Sequence, residues 1–128
     1  MIAGCDYYFM ENKDVNMENI SKTLEAWGSW VANDQNAINL LNNKEIIPER
    51  IKLRKKCTHH NANIINDLMK RLMAHNKEDY QLLINYYVFG KTFIQLAKYD
   101  QCSDTYIGKK LKKAEGMIEG MLIFSGAN

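Results

Sequence analysis

Between Asn61 and His75 the apolar side chains fall in two neighbouring rows, Ile64, Leu68 and Leu72 in one and Ile65, Met69 and Met73 in the other. Steps of four residues keep each row on one side of a helix, and two adjacent rows make a stripe wide enough for deep burial. The same period recurs upstream in Ile20, Leu24, Trp27 and Val31, with Trp30 widening the stripe. It recurs downstream from Lys77 to Val88, where Tyr80, Leu83, Ile84 and Tyr87 share a face and Gly90 can end the helix. Thr92 then caps "FIQLAKY", and Ser103 caps a long helix whose core face is Ile107, Leu111, Ala114, Ile118 and Met121 or Leu122. The expected fold class is all-α, a compact helical domain.

The segments between these stripes are short. "NDQN" stops the first helix, and "AINLLNN" suits a short helical turn. Pro48 restricts Ile47 to an extended conformation, so the basic connector "RIKLRKK", Arg50 to Lys56, is expected to be a loop or extended arm that does not begin as helix. Met1 to Asn16 mixes aromatic and acidic residues without a helical or strand period. It reads as a loosely held arm that the fold can dispense with, or an artefact of start-codon choice. The domain reading is therefore an N-terminal arm over 1–16 and a single helical domain over 17–128.

A chain of 128 residues suits one core, and no apolar tract approaches the roughly 18 residues that a membrane span requires. A formal net charge of +2 makes no demand for a polyanionic partner, so any case for nucleic acid rests on where the charges lie. They concentrate in Arg50, Lys52, Arg54, Lys55 and Lys56, and in Lys109, Lys110, Lys112 and Lys113. Cys5, Cys57 and Cys102 are odd in number and scattered, which fits reduced thiols in a cytosolic protein; "MIAGC" lacks the flanking segments of a secretion signal.

The most informative stretch is Thr92 to Gly116. A short helix, a tight break near Asp100 to Cys102 and a second helix opened by a capping residue have the spacing of a helix-turn-helix. Ala97 lets the two helices approach, Phe93 and Leu96 face inward, and Leu96, Ile107 and Leu111 supply the shared core. Asp100 and Gln101 depart from the commonest turn, which favours an apolar residue and a glycine there. With Ile107 and Leu111 buried, Thr105, Lys109, Lys112 and Lys113 turn outward beside Gly108. On duplex DNA, Ser103, Asp104, Thr105, Gly108 and Lys109 lie at the helix start that enters a major groove, while Tyr106, Lys112 and Lys113 reach phosphates. The bland reading is a solvated helix face.

"TLEAWGSWVAND", "LINYYVFGKTFIQLAK" and "CSDTYIGKKLKKAEGMIEGML" together resemble the antitermination Q proteins of lambdoid phages, of the small type related to the phage 21 protein. The resemblance runs from about Met17 to Leu122. It implies a sigma-factor-like helix-turn-helix in "TFIQLAKYDQCSDTYIGKKLKKAEG" and a late-gene regulator working in the host bacterial cytoplasm. Such a regulator binds a DNA element near the late promoter, joins paused host RNA polymerase with its sigma factor during loading, and makes the enzyme ignore terminators. Nascent RNA and a second copy of the chain are further candidate partners; no cofactor or membrane is implied.

Other readings compete. Cys57, His59 and His60 could suggest a metal or thiol site, but adjacent histidines diverge on any regular element and no second ligand pair stands at zinc-finger spacing; no metal is expected. His75 sits near a helix C-terminus, where a histidine often just meets free carbonyls. Trp27 and Trp30 either both anchor the first helix in the core, the favoured reading because Trp27 lies on the main stripe, or leave one of the two partly exposed for a partner. Arg50 to Lys56 is either a solvated loop or an arm that contacts polymerase or RNA. Paired carboxylates on one face, a phosphate-binding glycine loop and nucleophile-base spacing are all missing, so an enzyme is not expected. A plain helix-turn-helix repressor or activator remains the alternative to an antiterminator.

Overall fold

The computed structural model describes residues 19–41 and 43–124, and all the regular structure among them is helical. Seven helices follow in order: α1 (Ile20–Ala32), α2 (Gln35–Leu41), α3 (Glu49–Lys52), α4 (His59–His75), α5 (Lys77–Tyr87), α6 (Phe93–Asp100) and α7 (Asp104–Phe124). The proposed arm over 1–16 lies outside the described residues.

Each long helix starts where a side chain satisfies an orphan backbone N–H. The Asn19 side chain accepts from Lys22 N–H, Thr58 Oγ1 from Asn61 N–H, and Asn76 Oδ1 from Asp79 N–H. Thr58 moves the start of α4 two residues ahead of the periodic stripe. Asp34 Oδ1 does the same for Ala37 N–H, so α2 begins at Gln35, inside the stretch read as a stop.

The connector corrects an expectation. Ile47 lacks regular structure, as its place before Pro48 requires, but the restriction acts on the preceding residue and not on those that follow. Pro48, at φ −61° and ψ 144°, starts the four-residue α3, and fully buried Ile51 nails it to the core. Ser29 Oγ donates to the Lys52 and Arg54 carbonyls at 3.4 and 2.9 Å, and Asn33 Nδ2 to the Lys52 carbonyl at 3.0 Å. The basic segment is thus pinned to α1 by its backbone, leaving side chains at the surface.

α5 packs against α4, α7 and α1. Leu83 and Tyr87 face inward from it, meeting Leu24, Trp27 and Val31 of α1, Leu68 and Leu72 of α4, and Ile107, Leu111 and Ile118 of α7 in one core. Leu122, rather than Met121, completes the α7 face. Met73 leaves the core near the end of its row, 46% exposed. Two close approaches define the arrangement. Gly28 of α1 sits against the Tyr87 carbonyl, where a Cβ would come within 2.2 Å. Gly90, at φ +64°, makes the reversal between α5 and α6 that residues with a side chain rarely adopt.

A buried polar link ties three helices together. The Tyr87 hydroxyl donates to Glu115 Oε2 at 2.5 Å, and Ser21 Oγ donates to Glu115 Oε1 at 3.4 Å. Burial, with the Glu115 carboxylate beside it, holds the Tyr87 phenol far above its ordinary pKa, so it remains a donor.

Candidate nucleic-acid interface

The C-terminal helix pair is built by local chemistry. Thr92 and Gln95 form a reciprocal capping box: Thr92 Oγ1 accepts from Gln95 N–H at 3.1 Å, and Gln95 Oε1 accepts from Thr92 N–H at 2.9 Å. At the other end of α6, Gln101 takes the left-handed conformation, φ 58° and ψ 49°. Its N–H donates to the Lys98 carbonyl and that of Cys102 to the Ala97 carbonyl, the paired bonds that close a helix through a left-handed residue. A glutamine fills the position that glycine would fill more cheaply. Ser103 Oγ then accepts from Tyr106 N–H at 3.1 Å and opens α7.

Between the two helices Leu96, Ala97, Ile107 and Leu111 are buried, and Phe93 is half-buried beside Tyr86. Outside, Ser103, Asp104, Thr105, Tyr106, Lys109, Lys112 and Lys113 are exposed along the first half of α7. Gly108 is half-buried, and an added Cβ there would make only ordinary contact with Phe93, at 3.5 Å. The N-terminal end of α7 carries the positive pole of the helix dipole.

The lysines divide into two rows. Lys110 Nζ lies 3.4 Å from Asp100 Oδ2 and 5.5 Å from the Tyr106 ring centroid. Burial alone would lower its pKa, and the attraction of Asp100 outweighs this and raises it. Lys113 Nζ lies 3.5 Å from Asp79 Oδ2. Among the described residues no carboxylate stands at ion-pair distance from Lys109 or Lys112. Sequence periodicity found the outward face but not this division, because the two acids come from α6 and α5.

The second basic group is built on another segment, around α3. Arg50 Nη2 donates to the Gly90 carbonyl, and Lys91 pairs with Glu45, so the strand of chain around α3 clasps the loop that leads into α6. Lys55 and Lys56 are exposed, with Lys52 and Arg54 half-buried and Leu53 74% exposed among them. Arg50 is therefore committed internally, while the others present charge to the surface.

Cys57 is buried, and His59 Nδ1 accepts from Trp30 Nε1–H at 3.1 Å with the two rings edge to face. Trp27 is buried with its Nε1–H on Asn66 Oδ1. No group of three or more metal-ligating side chains occurs among the described residues. A groove of about 590 Å³, which the sequence did not announce, runs between α1, α2, α4 and α5 and is lined by Trp27, Val31, Leu40, Met69, Met73 and Tyr80 among others. Among the described residues no helix is long and apolar enough to cross a membrane.

The family model for phage antitermination protein Q matches residues 17–128. Antitermination protein Q of Escherichia phage 933W is 42% identical over 114 residues, covering 86% of this chain and 79% of the relative. The prophage antitermination protein Q homolog QuuD of Escherichia coli K12 is 43% identical over 111 residues, covering 84% and 87%. The probable antitermination protein Q of Acyrthosiphon pisum secondary endosymbiont phage 1 is 30% identical over 108 residues, covering 80% and 73%. No solved structure matches. With a family match that takes in both the helix pair and the helices packed behind it, the chain belongs to the phage antitermination protein Q family.

Proposed function

We propose that this phage antiterminator reads a DNA element near the late promoter with the α6–α7 pair, used as a sigma-factor-like helix-turn-helix. It then loads onto paused host RNA polymerase and remains with the elongating enzyme in the host bacterial cytoplasm. The observation that carries the reading is the capped start of α7, which sets Thr105, Lys109 and Lys112 outward with no acid at ion-pair distance from either lysine among the described residues. Ser103, Asp104, Thr105, Gly108 and Lys109 stand nearest the base edges, and Tyr106 and Lys112 nearest the phosphates. Lys113 shares their surface but faces Asp79.

The remaining helices build the polymerase-docking surface. Lys52, Arg54, Lys55 and Lys56 extend from a segment whose backbone α1 holds still, a fixed basic strip that can contact polymerase or steer the emerging RNA backbone. A compact body near the RNA exit channel stops the terminator hairpin from forming by steric exclusion. No catalysis is involved. The family match supports antitermination over plain repression or activation.

Two substitutions test the helix assignment. Lys109→Ala should cost about 1–3 kcal/mol on the preferred element and relax sequence preference. Lys112→Ala should leave the preference alone and flatten the slope of log K against log salt by about 0.9, one phosphate contact. Binding titrations over a salt series on the preferred and a scrambled duplex measure both. Wild-type affinity and preference in both variants would remove α7 from the DNA.

A further inference from the structure

Asp79 stands in the first turn of α5 and is 4% exposed. Its backbone N–H is capped by Asn76, but its Oδ2 receives no hydrogen bond among the described residues. The charge facing that oxygen is Lys113 Nζ, 3.5 Å away, close enough for attraction without a hydrogen bond. The pair is unequal, since the lysine side chain is 62% exposed and the aspartate side chain 5%. If Lys113 swung out to a phosphate, it would gain only a screened, solvated anion and would leave behind a carboxylate sealed from water without its counterion. The balance favours staying.

Resting on the reading of α7 as the DNA-contacting helix, we propose that Asp79 is an internal competitor for phosphate that withholds Lys113 from the DNA. Lys110, three residues earlier, has a different hold, a hydrogen-bonded ion pair at 3.4 Å with Asp100, whose carboxylate is open to solvent. The helix thus offers Lys109 and Lys112 to the duplex, while Lys110 and Lys113 face acids of α6 and α5. The purpose is specificity. Phosphate contacts strengthen binding to every sequence alike, so each lysine withheld lowers non-specific affinity and leaves base contacts a larger share of the discrimination. Asp79 touches no DNA; it positions a lysine that otherwise would.

The test is the salt dependence of binding to a short random-sequence duplex, followed by fluorescence anisotropy, for the wild type, Asp79→Asn, Lys113→Met and the double variant. Releasing Lys113 in Asp79→Asn should steepen the slope of log K against log salt by about 0.9, an additional loss of roughly 3.5-fold between 50 and 200 mM. Lys113→Met should keep the wild-type slope, and the double variant should return to it. A merely structural Asp79 would change stability and not the slope. An unchanged slope in Asp79→Asn, or a slope flattened by about 0.9 in Lys113→Met, overturns the proposal while wild-type binding leaves the DNA reading standing. Should Asp79→Asn fail to fold, Lys113→Met decides by itself, a wild-type slope supporting the proposal and a flattened one refuting it. If the wild type binds no duplex at all, the DNA reading falls and takes the proposal with it.

Discussion

Gly28→Ala lowers the stability of the protein by about 2–3 kcal/mol, read as a fall of roughly 10 °C in Tm. Two effects oppose each other at this position. Alanine improves the helix by about 1 kcal/mol over glycine, and in an exposed helix that term would win. Here the new methyl would stand 2.2 Å from the Tyr87 carbonyl oxygen and 2.9 Å from its carbon. Both atoms are backbone, so relief requires moving α1 off α5. That movement loosens Leu24, Trp27 and Val31 together and strains the Ser21–Glu115–Tyr87 link. Gly116→Ala provides the contrast, because nothing lies within 4 Å of its added Cβ. It should be stabilising by about 0.5–1 kcal/mol. A Gly28→Ala protein melting within about 2 °C of the wild type would show that α1 and α5 part cheaply.

Reversing the three outer charges of the connector, as Arg54→Glu, Lys55→Glu and Lys56→Glu together, is expected to abolish most terminator readthrough while sparing DNA binding. The fold should survive, because α1 grips this segment through the Lys52 and Arg54 carbonyls rather than through the altered side chains. Placing like charges against an anionic partner costs several kcal/mol, and each 1.4 kcal/mol is tenfold, so readthrough should drop by about tenfold or more. Affinity for the isolated DNA element should stay within about twofold. Arg50 belongs outside this set, since its guanidinium holds the Gly90 carbonyl and its loss disturbs the entrance to α6 as well. Loss of DNA binding and readthrough in strict proportion in the triple variant would instead make the connector part of the DNA-binding surface.

What could be read from the chain was what depends on neighbours in sequence. The two rows of α4, the stripe of α1 and the inward face of α7 follow from helical period, and Thr92 and Ser103 announce their helix starts by residue type. Failures came where a distant segment decides. Pro48 speaks only for Ile47, and a helix of four residues is too short to show a period, so α3 was hidden until the buried Ile51 revealed what holds it. Gly28 looks like a weak point in a helix unless Tyr87, far along the chain, is known to press on it. Asp79 in "KEDY" and Glu115 in "KKAEG" are buried although each sits in a charged run. Their partners, Lys113 and Tyr87, are ones that no local pattern indicates. Of the candidate interface, the outward lysines of α7 were legible, and the pairing of Lys110 and Lys113 with acids of α6 and α5 was not.

Transcription in vitro from a late promoter followed by a terminator, on templates with and without the promoter-proximal DNA element, tests the central claim most directly. The account predicts that the protein raises readthrough on the template carrying the element, that removing the element abolishes the effect, and that Lys109→Ala weakens it on the intact template. Readthrough that is equal on both templates, or unaffected by Lys109→Ala, would contradict the assignment of α7 as the helix that brings this antiterminator to its promoter.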